Sequence, residues 1–166
     1  MRRVLSGWMA VLLICAAGLR AQQQSEPTHE HDHAKMMERG GEGMGFSQTA
    51  ATHHFLLTKD GGVIQVTVND PKDAATRDEI RTHLQHIAQL FSTGDFDIPM
   101  FIHDQVPPGV PEMKQLKGEI RYAHAEIPDG GKVVMSSSNP KGVAAIQKFL
   151  RFQTEEHQTH DSVSTK

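Results

Sequence analysis

The segment KDGGVIQVTVNDP at residues 59–71 returns, altered but in register, as PDGGKVVMSSSNP at residues 128–140. In both copies Asp-Gly-Gly opens an alternating run that closes on a proline, and Pro71 and Pro140 stand at the same distance from Asp60 and Asp129. A Gly-containing turn between β-type runs reads as a hairpin. The first hairpin joins 54–58 to 63–69, and the second joins 119–127 to 132–138. After each proline the period becomes helical. Ile80, Leu84, Ile87, Ala88 and Phe91 recur at helical spacing within 73–91, and Gly94 ends the run. A second helix covers 141 to about 157. The two helices align once the first is given three extra residues, which pairs Ile80, His83, Leu84 and His86 with Ile146, Phe149, Leu150 and Phe152. The chain is therefore read as an internal duplication, ββα followed by ββα. The expected fold class is α+β: a two-layer sandwich with a four-stranded antiparallel sheet and its helices on one face.

Outward from these repeats the sequence loses its periodicity. The connection 92–118 carries Pro99, Pro107, Pro108 and Pro111, an apolar stretch at 98–102, and the pattern of one helical turn at 111–116. Long connections in compact domains are functional or disordered, and the apolar content here favours an ordered loop packed on the core. Residues 22–48 are polar and Gly-rich, which reads as a disordered tail. The single domain is expected at 49–158, with a disordered C-terminus at 159–166.

The N-terminus orders charge, apolar run and small residues as a secretory signal peptide does, with Arg2 and Arg3 ahead of Trp8 and cleavage near Ala21. Its apolar run is shorter than the roughly 20 residues that span a bilayer. The expected mature chain is periplasmic or secreted, with no membrane span after signal cleavage. Cys15, the single cysteine, falls inside the signal peptide, so disulfides and thiolate metal sites are excluded from the mature chain. Loss of Arg2, Arg3 and Arg20 leaves a net charge of about −6 with histidines neutral. Scattered basic residues and few aromatics exclude nucleic acid as a partner.

The unusual component is histidine, eleven in all. His83 and His86 stand where the second repeat has Phe149 and Phe152, which is the asymmetry a site grafted onto one half would leave. With Glu79 they place one carboxylate and two imidazoles on one flank of a helix, within reach of one cation if another element covers that flank. The candidates for covering it are His53 and His54 in the first hairpin and His103 with Asp104 in the Pro-rich connection. Only one of His53 and His54 can join such a site directly, because adjacent strand residues face opposite ways. Neutral imidazole suits Zn, Cu, Ni or Fe. A second signal lies in His29, His31 and His33, followed by Met36, Met37 and Met44, since alternating histidines wrap divalent ions and thioethers are soft ligands for Cu(I). The competing explanation is that these histidines are packed or solvated and bind nothing. Hydrolase elbows, phosphate loops, His-Glu-x-x-His pairs and haem attachment motifs are absent from the sequence.

The strings THHFLL at 52–57, NDPKDAATRD at 69–78, HLQHI at 83–87, IHDQVPPGVP at 102–111 and FLRFQ at 149–153 resemble a family of small exported bacterial proteins, over about 44–157. The resemblance implies export and a common domain, and carries no catalytic residues with it. Some relatives bear the name aspartate carbamoyltransferase. This chain lacks the Ser-Thr-Arg-Thr phosphate loop of that enzyme and is much shorter than its subunit. The expected function is transition-metal binding by the exported protein, copper ahead of zinc as the cofactor, with the tail as a flexible capture arm. A binding module that uses the Pro-rich connection for an organic ligand or protein partner is the alternative, and metal-dependent hydrolysis on the same residues is the third reading.

Overall fold

The computed structural model describes residues 28–164, with side chains from residue 34 onward. The signal peptide expected at 1–21 lies outside the described residues. In chain order the elements are α1 (Thr28–Met44), β1 (Ala51–Thr58), β2 (Gly61–Val68), α2 (Ala74–Thr93), α3 (Asp97–His103), α4 (Val110–Gln115), β3 (Ile120–Ile127), β4 (Gly130–Ser137) and α5 (Pro140–Glu156). The two hairpins join into one antiparallel sheet of order β1-β2-β4-β3, and the helices pack on one of its faces. This is the expected two-layer α+β architecture. No helix among the described residues is long and apolar enough to cross a membrane.

The duplication is visible as a pseudo-two-fold axis. The shift along the chain that carries Gly61 to Gly130 also carries Ile64 to Val133, and these two residues pair directly across β2 and β4. The ends of the hairpins are stitched by matched bonds, from Val68 N–H to the Asp129 carbonyl and from Ser137 N–H to the Asp60 carbonyl, both 2.9 Å. Each long helix crosses to the other repeat's hairpin. Helix α2 lies mainly on β3 and β4, whereas α5 lies mainly on β1 and β2. Equivalent side chains hold the two crossings. Arg81 Nη2 donates to the Ile127 carbonyl at 2.8 Å, and Gln147 Nε2 donates to the Thr58 carbonyl at 2.9 Å.

Local chemistry sets the helix ends. Asp73 caps α2 by accepting from Thr76 N–H at 3.0 Å, and Gly94 closes it in the left-handed region at φ 84°. Asn139 caps α5 through Lys141 N–H at 2.9 Å, with Pro140 at the first helical position, where no N–H is needed. The core between the layers holds Ile80, Leu84, Phe91, Phe96, Val133, Met135, Ile146, Phe149 and Leu150, all nearly or wholly without solvent contact.

Three stretches depart from the expectations. Residues 28–44 form α1 rather than a disordered tail, because Met36, Met44 and the following Phe46 are buried in the core. Helix α1 lies against α3, with Arg39 Nε donating to the Ile102 carbonyl at 2.8 Å. The Pro-rich connection contains two helices, α3 and α4, of which only the second has a counterpart in the turn expected at 111–116. The C-terminal segment, expected to be disordered from 159, is tied to β1. Asp161 Oδ2 accepts from Phe55 N–H and Asp161 Oδ1 meets His54 Nδ1, each at 2.9 Å.

Gly109 precedes α4 at φ 93°, and a Cβ built there would overlap the Ala145 carbonyl of α5. Gly109→Ala is expected to lower unfolding free energy by about 2 kcal/mol or more, from left-handed strain and steric overlap. Urea denaturation checks this, and an unchanged midpoint would show that α4 does not seat on α5 as described.

Candidate functional site

The pseudo-two-fold axis relates two poles of the core, one on each side, and they differ in chemistry. It maps His53 to Tyr122, His83 to Phe149 and His157 to Phe91. At the second pole Phe91 stacks on Phe96 at 4.3 Å and meets Tyr122 edge-on at 5.9 Å between ring centroids. At the first pole the equivalent contact is imidazole on imidazole, with His157 and His53 at 5.5 Å. Phe46, just past α1, stacks on His53 at 6.1 Å and meets His83 edge-on at 5.7 Å. His103, from α3, closes the group with its ring 5.2 Å from that of His157.

The rings of His53, His83, His103 and His157 border a cavity of about 60 Å³ that is also lined by Met44, Phe55, Ile64, Leu84, Phe91, Ile102, Phe149 and Gln153. A void of this size admits a few waters or one ion and is far smaller than the sites that hold drug-sized molecules. Three of its polar atoms lack a hydrogen bond. His53 Nε2, His103 Nδ1 and Gln153 Nε2 are buried without a hydrogen-bond partner. His103 Nε2 meets Gln153 Oε1 at 3.0 Å. On its other side His103 Nδ1 lies 3.7 Å from Glu156 Oε2. An orphaned buried polar group costs about 1–3 kcal/mol, so several together mark a place where a bound species would restore what folding removes. The second pole also leaves Tyr122 Oη and His124 Nε2 unpaired, beside the rings of Phe91, Phe96 and Phe149.

Burial fixes the protonation state of the cavity. Desolvation pushes His53 down to about 4, helped by His54. Desolvation also pushes His83 down to about 4, helped by His53 and His86. His103 is lowered by burial, against the opposing pull of Gln153 and Glu156. All three are neutral at neutral pH, the form in which imidazole donates a lone pair.

A second, open concavity of about 530 Å³ lies between α2 and the C-terminal end of α1. Glu42, Asp78, Glu79, Thr82, His83 and His86 line it, together with Gly43, Met44, Gly45, Ala75 and Ile98. The flank of α2 that carries Glu79, His83 and His86 therefore faces this groove. What covers it is the end of α1, in place of the hairpin or the Pro-rich connection.

The expected residues are thus divided. The cavity gathers His53, His83 and His103. Glu79 and His86 stay in the groove, where only His83 reaches both. His54 points to the opposite sheet face and pairs with Asp161, and exposed Asp104 ends α3 in the left-handed region at φ 51°. His29, His31 and His33 lie at the start of α1, with their side chains outside the described residues. Met36 is buried in the core at 2% exposure, and Met44 borders the cavity. Among the described residues no three His, Cys, Asp or Glu side chains are arranged to hold one ion.

His157 was missed in the sequence although its signal was present. It continues the core stripe of α5 through Phe149 and Gln153 at successive four-residue steps. No protein-family model, curated protein or solved structure matches the chain.

Proposed function

We propose that the chain is an exported copper-binding protein that holds Cu(I) at the imidazole pole, between His53, His83 and the thioether of Met44. The observation that carries this reading is the unpaired Nε2 of buried, neutral His53, facing a cavity that Met44 and His83 also line. Zinc sites take three or four protein ligands from Cys, His and carboxylate, a set the described residues do not offer. A thioether beside imidazole suits Cu(I). His103 and His157 stand behind this group and fix its walls. The cavity has no room for an organic substrate, which sets the ligand-module reading behind the metal.

The test is chemical unfolding of the chain from residue 22, kept reduced and anaerobic, with Cu(I), Zn(II) or Ni(II) and with chelator. An ion that binds only the native state, at 100 times its dissociation constant, adds about 2.7 kcal/mol. Cu(I) is expected to give that shift. His83→Phe and His53→Tyr, which install the residues of the second pole and so should preserve folding, are expected to abolish it, while His54→Ala leaves it intact. Equal stability with and without every ion would overturn the reading.

A further inference from the structure

We propose that the groove between α1 and α2 is the loading vestibule through which a copper cation reaches the cavity, with Met44 and His83 as the wall it crosses. The inference rests on the copper reading above and adds to it a route and a charge requirement. Three side chains, Met44, His83 and Ile98, line the groove and the cavity alike. The groove and the cavity therefore adjoin along these three side chains, with His53 Nε2 buried and without a hydrogen bond on the cavity side.

The groove's charge suits a cation. Arg77 and Arg81 lie 3.6 and 3.5 Å from Asp78 and offset it. Glu42 and Glu79 make no ion pair among the described residues, so their negative charge faces the groove. His86, exposed on the same flank, offers a transient imidazole one helical turn from His83. Carboxylates lining a concave surface concentrate field lines and raise the local cation concentration. Met44 is placed to pass the ion inward, since it ends α1 and is followed by Gly45, which turns the chain at φ 76°. Copper donors thus line both spaces, with His86 in the groove, His53 in the cavity, and His83 and Met44 shared between them.

The test compares stopped-flow Cu(I) binding in wild type and in the double variant Glu42→Gln with Glu79→Gln, with His86→Ala as a third protein, all in the chain from residue 22. These residues are exposed, so the variants should fold, which circular dichroism verifies. Association and dissociation are both expected to slow by about tenfold in the double variant, leaving the dissociation constant within about twofold. The wild-type association rate is expected to fall with added salt, and that of the double variant to be nearly flat. Association rates equal to wild type in the double variant would overturn the vestibule while leaving the copper site standing. Failure of wild type to bind copper at equilibrium would overturn both, and the two failures are read from different curves.

Discussion

A chain that begins at Thr49 is expected to be several kcal/mol less stable than one that begins at residue 22, and to expose apolar surface at neutral pH. The truncation removes Met36, Met44 and Phe46, all buried at 7% exposure or less. Fully burying side chains of this kind contributes about 1.5–3 kcal/mol each, and whole domains are stable by only about 5–15 kcal/mol. Part of that contribution is offset by the entropy of ordering α1. The loss does not stop at three side chains. Phe46 lies over both His53 and His83, so its removal wets the cavity and leaves α3 without its partner helix. Guanidinium unfolding of the two chains, with fluorescent dye binding as a second readout, measures the difference. A truncated chain within about 1 kcal/mol of the longer one would show that α1 does not belong to the folded unit.

The second large effect is acid lability of the metal-free protein. His53 and His83 are held near 4 in the fold, against the ordinary value of 6.5. The unfolded chain therefore takes up protons at these sites below about pH 6.5, while the folded chain does not until about pH 4. Stability is full above the ordinary histidine value, falls through the interval between the two, and levels off below the folded value. Each tenfold loss of proton affinity on folding corresponds to about 1.4 kcal/mol, so each imidazole accounts for a loss of roughly 3 kcal/mol. Urea midpoints measured in the presence of chelator from pH 7.5 to pH 4 should show the decline. The combined His53→Tyr and His83→Phe variant should lose most of it, and a wild-type profile flat across this interval would mean that these rings are open to water.

The parts of the architecture legible in the sequence were those with a strong period and a repeated turn. The Asp-Gly-Gly hairpins and the stripe Ile80, Leu84, Ile87 and Phe91 emerged because strand and helix burial follow fixed spacings. Helix α1 did not, because most of its positions are polar or glycine and its attachment depends on two methionines and on Phe46 after its end. Its glycines read as disorder, yet Gly43 is where the Ile102 side chain of α3 approaches within 3.3 Å of a built Cβ. The site was half legible. His83 against Phe149 was visible by comparing the repeats, and the same comparison would have paired His53 with Tyr122 and His157 with Phe91. The division of Glu79 and His86 from His103 depends on the position of α1 and could not be read without it.

The exchange of helices between the hairpins has a consequence for how the chain can be taken apart. Each helix covers the other repeat's hairpin more than its own, so half of the chain alone leaves most of its sheet face bare. Cutting the polypeptide between α4 and β3 would then yield two fragments that are poorly ordered alone and recover the fold when mixed. The imidazole pole would be complete only in the reunited pair, since His53, His83 and His103 come from one fragment and His157 from the other.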